Sequence, residues 1–107
     1  MKQIIDIIAK TLGIGARQIE QTLGLLDGGA TIPFIARYRK EATGGLDEVQ
    51  IAAIAEEYHR CLELDDRKAT ILKTIEEQGK LTDDLRARIE QCWDATELED
   101  IYLPYKP

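Results

Sequence analysis

Arg37, Tyr38, Arg39 and Lys40 put three cations around one aromatic ring. Guanidinium and ammonium groups recognise phosphate oxygens, and such a cluster on a short helix suits contacts to a nucleic-acid backbone. The same four residues also have a purely structural reading. In that reading Tyr38 belongs to the core, Arg37 pairs with Glu41 one turn on, and Arg39 anchors a neighbouring segment. The residue types alone admit both.

Other chemistry-bearing residues fall at the wrong spacing. His59 and Cys61 are two apart, about 200° around a helix, and cannot form a nucleophile–base pair. They are expected on the surface and in the core respectively. Acidic pairs recur at Glu56-Glu57, Asp65-Asp66, Glu76-Glu77, Asp83-Asp84 and Glu99-Asp100. Neighbours on a helix diverge by about 100°, so none is a two-carboxylate site; solvated faces and helix caps account for them. Gly13-Ile14-Gly15 begins a glycine-rich run, but Gln18 stands where a dinucleotide loop needs its third glycine, and no strand precedes it. It is a turn. Cys61 and Cys92 lie thirty-one positions apart, outside CxxC or Cys/His ligand spacing. No catalytic residue, metal or cofactor is expected, and a reducing, cytoplasmic setting fits the free thiols.

The elements that must position these residues are helical throughout. Ile4, Ile5, Ile8 and Leu12 line one face of a first helix, and Gly13 suits its left-handed end. Ala16, Ile19, Leu23 and Leu26 continue the pattern in a second, closed by Gly28-Gly29. Two helices around a glycine turn are the grammar of a helix-turn-helix and equally of any helical hairpin. Thr31 caps a third helix with Pro33 in its first turn, reading through Glu41 to a stop at Gly44-Gly45. In that helix Phe34, Ile35, Tyr38 and Ala42 share the apolar face, with Arg37, Lys40 and Glu41 opposite and Arg39 at its far edge.

Asp47 and Gln50 form a capping-box variant that opens the longest element, because Leu46 to Gln78 contains neither glycine nor proline. Thirty-three helical residues measure about 50 Å, against about 30 Å for a small domain. Val49, Ile51, Ile54, Ala55, Tyr58 and Leu62 form its first apolar group, and Ala69, Ile71, Leu72 and Ile75 its second. Asp65-Asp66-Arg67-Lys68 is a charged waist between them. With no breaker at the waist, a continuous helix is favoured over a bent one. Gly79 ends it. Thr82 and Asp83-Asp84 start another helix with a stripe of Leu85, Ile89, Cys92 and Trp93, and Thr96 with Glu99 caps a last short one. Leu103 to Pro107 reads as an extended, proline-bounded tail.

The chain of 107 residues is one small module by length, with a net charge of −6 that argues against overall attraction to phosphate. The charge is uneven: residues 1–45 carry six basic and four acidic side chains, residues 46–107 eight and sixteen. Seven of eight glycines also lie before residue 46, so a mildly basic, turn-rich front meets an acidic, helix-prone remainder. Apolar runs are far short of the ~20 residues a membrane span needs.

The block Gly29-Ala30-Thr31-Ile32-Pro33-Phe34-Ile35-Ala36-Arg37-Tyr38-Arg39-Lys40-Glu41-Ala42-Thr43-Gly44-Gly45-Leu46-Asp47-Glu48 strongly resembles the N-terminal signature of the Tex family of bacterial transcription accessory proteins. Leu98-Glu99-Asp100-Ile101-Tyr102-Leu103-Pro104-Tyr105-Lys106-Pro107 resembles a second signature of that family. The resemblance implies a much longer protein: a helical N-terminal region, a resolvase-like domain, helix-hairpin-helix elements and an S1 domain. It also implies nucleic-acid binding in transcription and a relationship to a eukaryotic elongation factor. The S1 domain, which would carry much of that affinity, is not in these residues, so a fragment is expected.

The expected fold is therefore all-α. Residues 1–45 form a helix-turn-helix-like part packed on a long spine helix over 46–78, short helices cover 79–103, and 104–107 begin a linker. The expected function is a non-catalytic N-terminal module of a Tex-like nucleic-acid-binding transcription protein, cytoplasmic and off the membrane. Arg37, Arg39 and Lys40 are its candidate nucleic-acid contacts. Its expected partners are RNA or DNA through the full-length protein, the remaining domains of the same chain, and the transcription machinery. The second reading is a helical scaffold that docks domains or proteins and touches no nucleic acid.

Overall fold

The computed structural model describes residues 1–107 as seven α-helices and a closing 3-10 turn, with no strand. The all-α expectation holds. The chain divides into two compact units, Met1–Arg60 and Cys61–Pro107.

In the first unit α1 (Lys2–Leu12) packs on α2 (Ala16–Asp27) across the glycine turn. Gly13 takes the left-handed conformation, φ 66° and ψ 32°, and returns its amide to the Ala9 carbonyl. Ile4, Ile5 and Ile8 are buried on α1, and Ile19 with Thr22 on α2. The Thr22 hydroxyl survives burial by donating to the Gln18 carbonyl at 2.7 Å.

The third helix departs from expectation. Thr31 caps it, accepting from the Phe34 amide at 3.3 Å, but α3 (Ile32–Tyr38) stops at Arg39, whose φ of −125° and ψ of 37° leave the helical region. A separate turn, α4 (Lys40–Thr43), follows. The cause lies beyond the local sequence. Thr43 is fully buried, its carbonyl accepts from Gln18 Nε2 at 2.9 Å, and its hydroxyl accepts from the Leu46 amide at 3.2 Å. Anchoring that turn against α2 overrides the helical propensity of Arg39-Lys40-Glu41.

The Asp47–Gln50 capping box forms as predicted. The Asp47 carboxylate accepts from the Gln50 amide at 2.8 Å, and the Gln50 side chain accepts from the Asp47 amide at 3.0 Å. It opens α5 (Glu48–Glu77), which is uninterrupted through Asp65–Lys68. Ile51 and Ile54 are fully buried in the first unit. Val49, expected beside them, is 77% exposed, because it sits in the first turn, off the buried side.

The second unit combines α5 from Cys61 onward with α6 (Asp83–Glu90), α7 (Ala95–Tyr102) and the turn Leu103–Tyr105. Leu64, Ile71, Ile75, Leu85, Ile89, Leu98 and Ile101 form its core, with Cys92 and Tyr102. Three local expectations are corrected here. The cap of α7 is Asp94, which accepts from the Glu97 amide at 2.8 Å, so Thr96 lies inside the helix. The tail is wound into a 3-10 turn where an extended segment was expected, and Gln78 Nε2 donates to the Tyr105 carbonyl at 2.7 Å. Lys68, read as part of a charged waist, is only 4% exposed.

Candidate nucleic-acid interface

A seven-residue helix has room to bury little, and α3 buries only Ile35 completely. Phe34 and Tyr38, predicted to share its apolar face, are 45% and 62% exposed. Their rings meet each other instead, centroids 5.4 Å apart and planes at 49°. The core reading of Tyr38 is thereby overturned: its ring is surface chemistry.

The three candidate cations divide. Arg37, in the last turn of α3, and Lys40, opening α4, are exposed and make no ion pair. Arg39 sits at the joint and donates from Nε to Glu41 Oε1 at 2.7 Å. This pair replaces the expected Arg37–Glu41 contact, because the break at Arg39 destroys the one-turn spacing that contact needs. The Arg39 guanidinium holds the Glu41 carboxyl below the usual range through that hydrogen bond.

Arg37 and Lys40 line an open groove of about 660 Å³ together with Pro33, Phe34 and Tyr38. Arg39 is not part of it. Asp47 and Glu48, from the start of α5, line it too. Two cations and two carboxylates therefore share one groove with an exposed aromatic pair, and their formal charges cancel. The break at Arg39 leaves the carbonyls of Ala36, Arg37 and Tyr38 outside the regular hydrogen bonding of either helix. The two carboxylates were legible as residues. Their place in one groove with the cations depends on the α4 turn, which no local signal announces.

In the second unit charged groups are engaged internally. Arg67 grips Glu99 with two hydrogen bonds of 2.8 Å and lies 5.3 Å from the Tyr102 ring. That contact lowers the Glu99 carboxyl below its usual range and raises Arg67. Lys106 stands 3.7 Å from the same carboxylate. Lys68 Nζ donates to the Glu90 carbonyl at 2.9 Å and stands 3.4 Å from the centre of the Trp93 ring. Burial pushes its ammonium below the usual lysine range. No group of three or more His, Cys, Asp or Glu comes together as a metal site, and no helix is long and apolar enough to cross a membrane.

Residues 2–76, which include every residue of the groove, match the family model described as the Tex-like protein N-terminal domain. The chain belongs to this family. It is 58% identical over 104 residues to the transcriptional accessory protein Tex of Neisseria gonorrhoeae, covering 97% of this chain and 14% of that protein. It is 52% identical over 101 residues to the protein YhgF of Escherichia coli, covering 94% of this chain and 13% of that one. A more distant likeness, 24% over 103 residues, reaches the human S1 RNA-binding domain-containing protein 1, covering 96% of this chain and 10% of that protein. The Tex-like domain described here thus spans about a seventh of the length of its bacterial relatives.

Proposed function

We propose that this Tex-like domain is a non-catalytic helical module of a cytoplasmic transcription accessory protein that engages nucleic acid as a whole molecule. Within that protein its own part is docking. One observation carries this reading. The only exposed cations beside exposed aromatic rings, Arg37 and Lys40, share their groove with Asp47 and Glu48. A phosphate backbone approaching the groove meets as many carboxylates as cations, in a chain whose net charge is already −6. Arg39, the third candidate contact, is occupied by Glu41. The printed names of the relatives, a transcriptional accessory protein and an S1 RNA-binding domain-containing protein, support nucleic-acid association at the level of the full-length protein.

The docking reading is tested on the full-length protein carrying Arg37→Ala and Lys40→Ala together. A docking role leaves its affinity for single- and double-stranded DNA and RNA, and the slope of log affinity against log salt, unchanged. Phosphate contacts by both residues would reduce that slope by about 2 and weaken binding alike on all sequences. That result would return the groove to the nucleic-acid reading.

A further inference from the structure

We infer that the α3–α5 groove is a receptor for an extended peptide segment of a protein partner, one that presents an apolar side chain flanked by an acidic and a basic residue. This deepens the docking reading above and rests on it.

The chemistry of the groove selects such an occupant feature by feature. Phe34 and Tyr38 offer an exposed pair of rings with Pro33 beside them, an apolar seat in an otherwise charged neighbourhood. Arg37 and Lys40 make no ion pair within the chain, so their charges are available to a carboxylate. The Glu48 and Asp47 carboxylates, from the other segment lining the groove, are complementary to a cation. Aromatic rings and arginine are the groups that anchor protein interfaces, and a groove holding both charge signs enforces direction on what it binds.

A nucleic-acid strand matches less well. Its phosphates carry only negative charge and are repelled by Asp47 and Glu48. Nor is the groove a small-molecule pocket, because it is wide open along the surface and has no enclosing wall.

The probe is a random heptapeptide library displayed on phage, selected against this 107-residue chain and counter-selected on the double variant Phe34→Ala, Tyr38→Ala. Both residues are exposed, so the variant keeps its helical circular dichroism, and that spectrum is the control for folding. Selected peptides are then synthesised and titrated, with oligo(dT) and oligo(U) run in parallel. Enrichment of apolar residues flanked by Asp or Glu on one side and Lys or Arg on the other supports the inference. So do amide shift changes confined to residues 33–48 and binding about tenfold weaker on the double variant. Lys40→Glu, a surface charge reversal, should shift the selected consensus from acidic to basic at the matching position. Peptides that bind equally well to the double variant overturn the proposal. So does a library that yields no groove-dependent sequence, or oligonucleotide binding at residues 33–48 in place of peptide. These outcomes are separate from the salt-slope result on the full-length protein, which judges the docking reading alone.

Discussion

The two units of this domain differ in what they do with their charges. In Cys61–Pro107, Arg67, Glu99 and Lys106 face one another beside Tyr102, and Lys68 is folded under Trp93. In Met1–Arg60 Arg37 and Lys40 stay exposed, the ion pairs Arg39–Glu41 and Arg60–Glu57 join close neighbours in the chain, and the longer-range anchoring is done by neutral groups, Gln18 and Thr43. The second unit uses ionic groups to hold itself together. The first holds itself with isoleucine and amides, pairs Arg39 and Arg60 with neighbouring carboxylates, and keeps Arg37 and Lys40 for the outside. A surface whose charges are not engaged internally is the one available to a partner, which is why the interface is sought in the first unit.

Both units still stand on aliphatic cores, and the largest effects should be equal between them. Ile8→Ala and Ile71→Ala, each at a fully buried position, should lose about 2–5 kcal/mol apiece in urea unfolding. A nearly silent substitution in either unit would mean that its core is dispensable and would break the comparison at its base.

The contrast itself appears next. Lys68→Ala removes the donor to the Glu90 carbonyl and the cation over Trp93, and should cost about 1–3 kcal/mol. Lys40→Ala in the first unit should stay within about 0.5 kcal/mol. Equal losses would show that the groove lysine is structural and would remove the basis for a free interface.

Gly44→Ala probes the neutral anchoring of the first unit. Gly44 has φ 72°, and a Cβ there would stand 2.7 Å from Gln18 Nε2. Left-handed strain alone predicts a loss of about 1–2 kcal/mol, read as a lowered melting temperature. Full stability in this variant would show that neither the left-handed backbone at 44 nor the approach of Gln18 constrains this turn.

The smallest effect is in pH. The folded-state pKa of Glu99 is depressed, so its stabilisation is complete above the unfolded carboxylate value and is lost as pH falls through the folded one. Arg67 and Glu99 are each about 40% exposed, which limits the pair to under about 1 kcal/mol, and Arg67→Ala should flatten the acid limb by that amount. Lys68 acts with the opposite limb. Its folded pKa is depressed by burial, so stability should rise as pH climbs from that value towards the ordinary lysine pKa of 10.5. Lys68→Met should remove this alkaline rise, and a rise that persists would assign it to another group.

Helix ends were the most legible part of this chain, because each is marked by a residue with one local job. Thr31, Thr82 and the Asp47–Gln50 pair cap where the sequence places them, and Gly13 ends its helix with positive φ. What could not be read locally depends on distant partners. The break at Arg39 has no glycine or proline; it follows from Thr43 being held by Gln18, twenty-five positions away. Asp94 and Thr96 are both good caps, and only packing of the helix chooses the earlier one. Periodicity put Tyr38 inside, yet it is exposed, and Lys68 of the charged waist is buried. A helix as short as α3 seats Ile35 and little else, whereas the long aliphatic stem of a lysine can lie in a core if its tip meets a carbonyl and a ring. The cations of the groove were therefore legible as residues, and the two carboxylates that share it with them only through the fold.

Gln18 has a consequence for how this sequence can change over time. Its oxygen accepts from the Gly15 amide at 3.2 Å while its nitrogen donates to the Thr43 carbonyl at 2.9 Å. One amide thus joins two glycine turns far apart in the chain, and it does so with ends that are not interchangeable. Glutamate at position 18 differs by a single atom and offers an acceptor where Thr43 needs a donor. Substitutions at positions 18 and 44 are consequently epistatic: a side chain at 44 keeps its left-handed strain in any background but escapes the clash with Gln18 only after Gln18 has been shortened, and shortening Gln18 removes the donor to the Thr43 carbonyl. Mutational drift through this region must cross that order-dependent barrier, so the shape of the groove is inherited through a residue that does not line it.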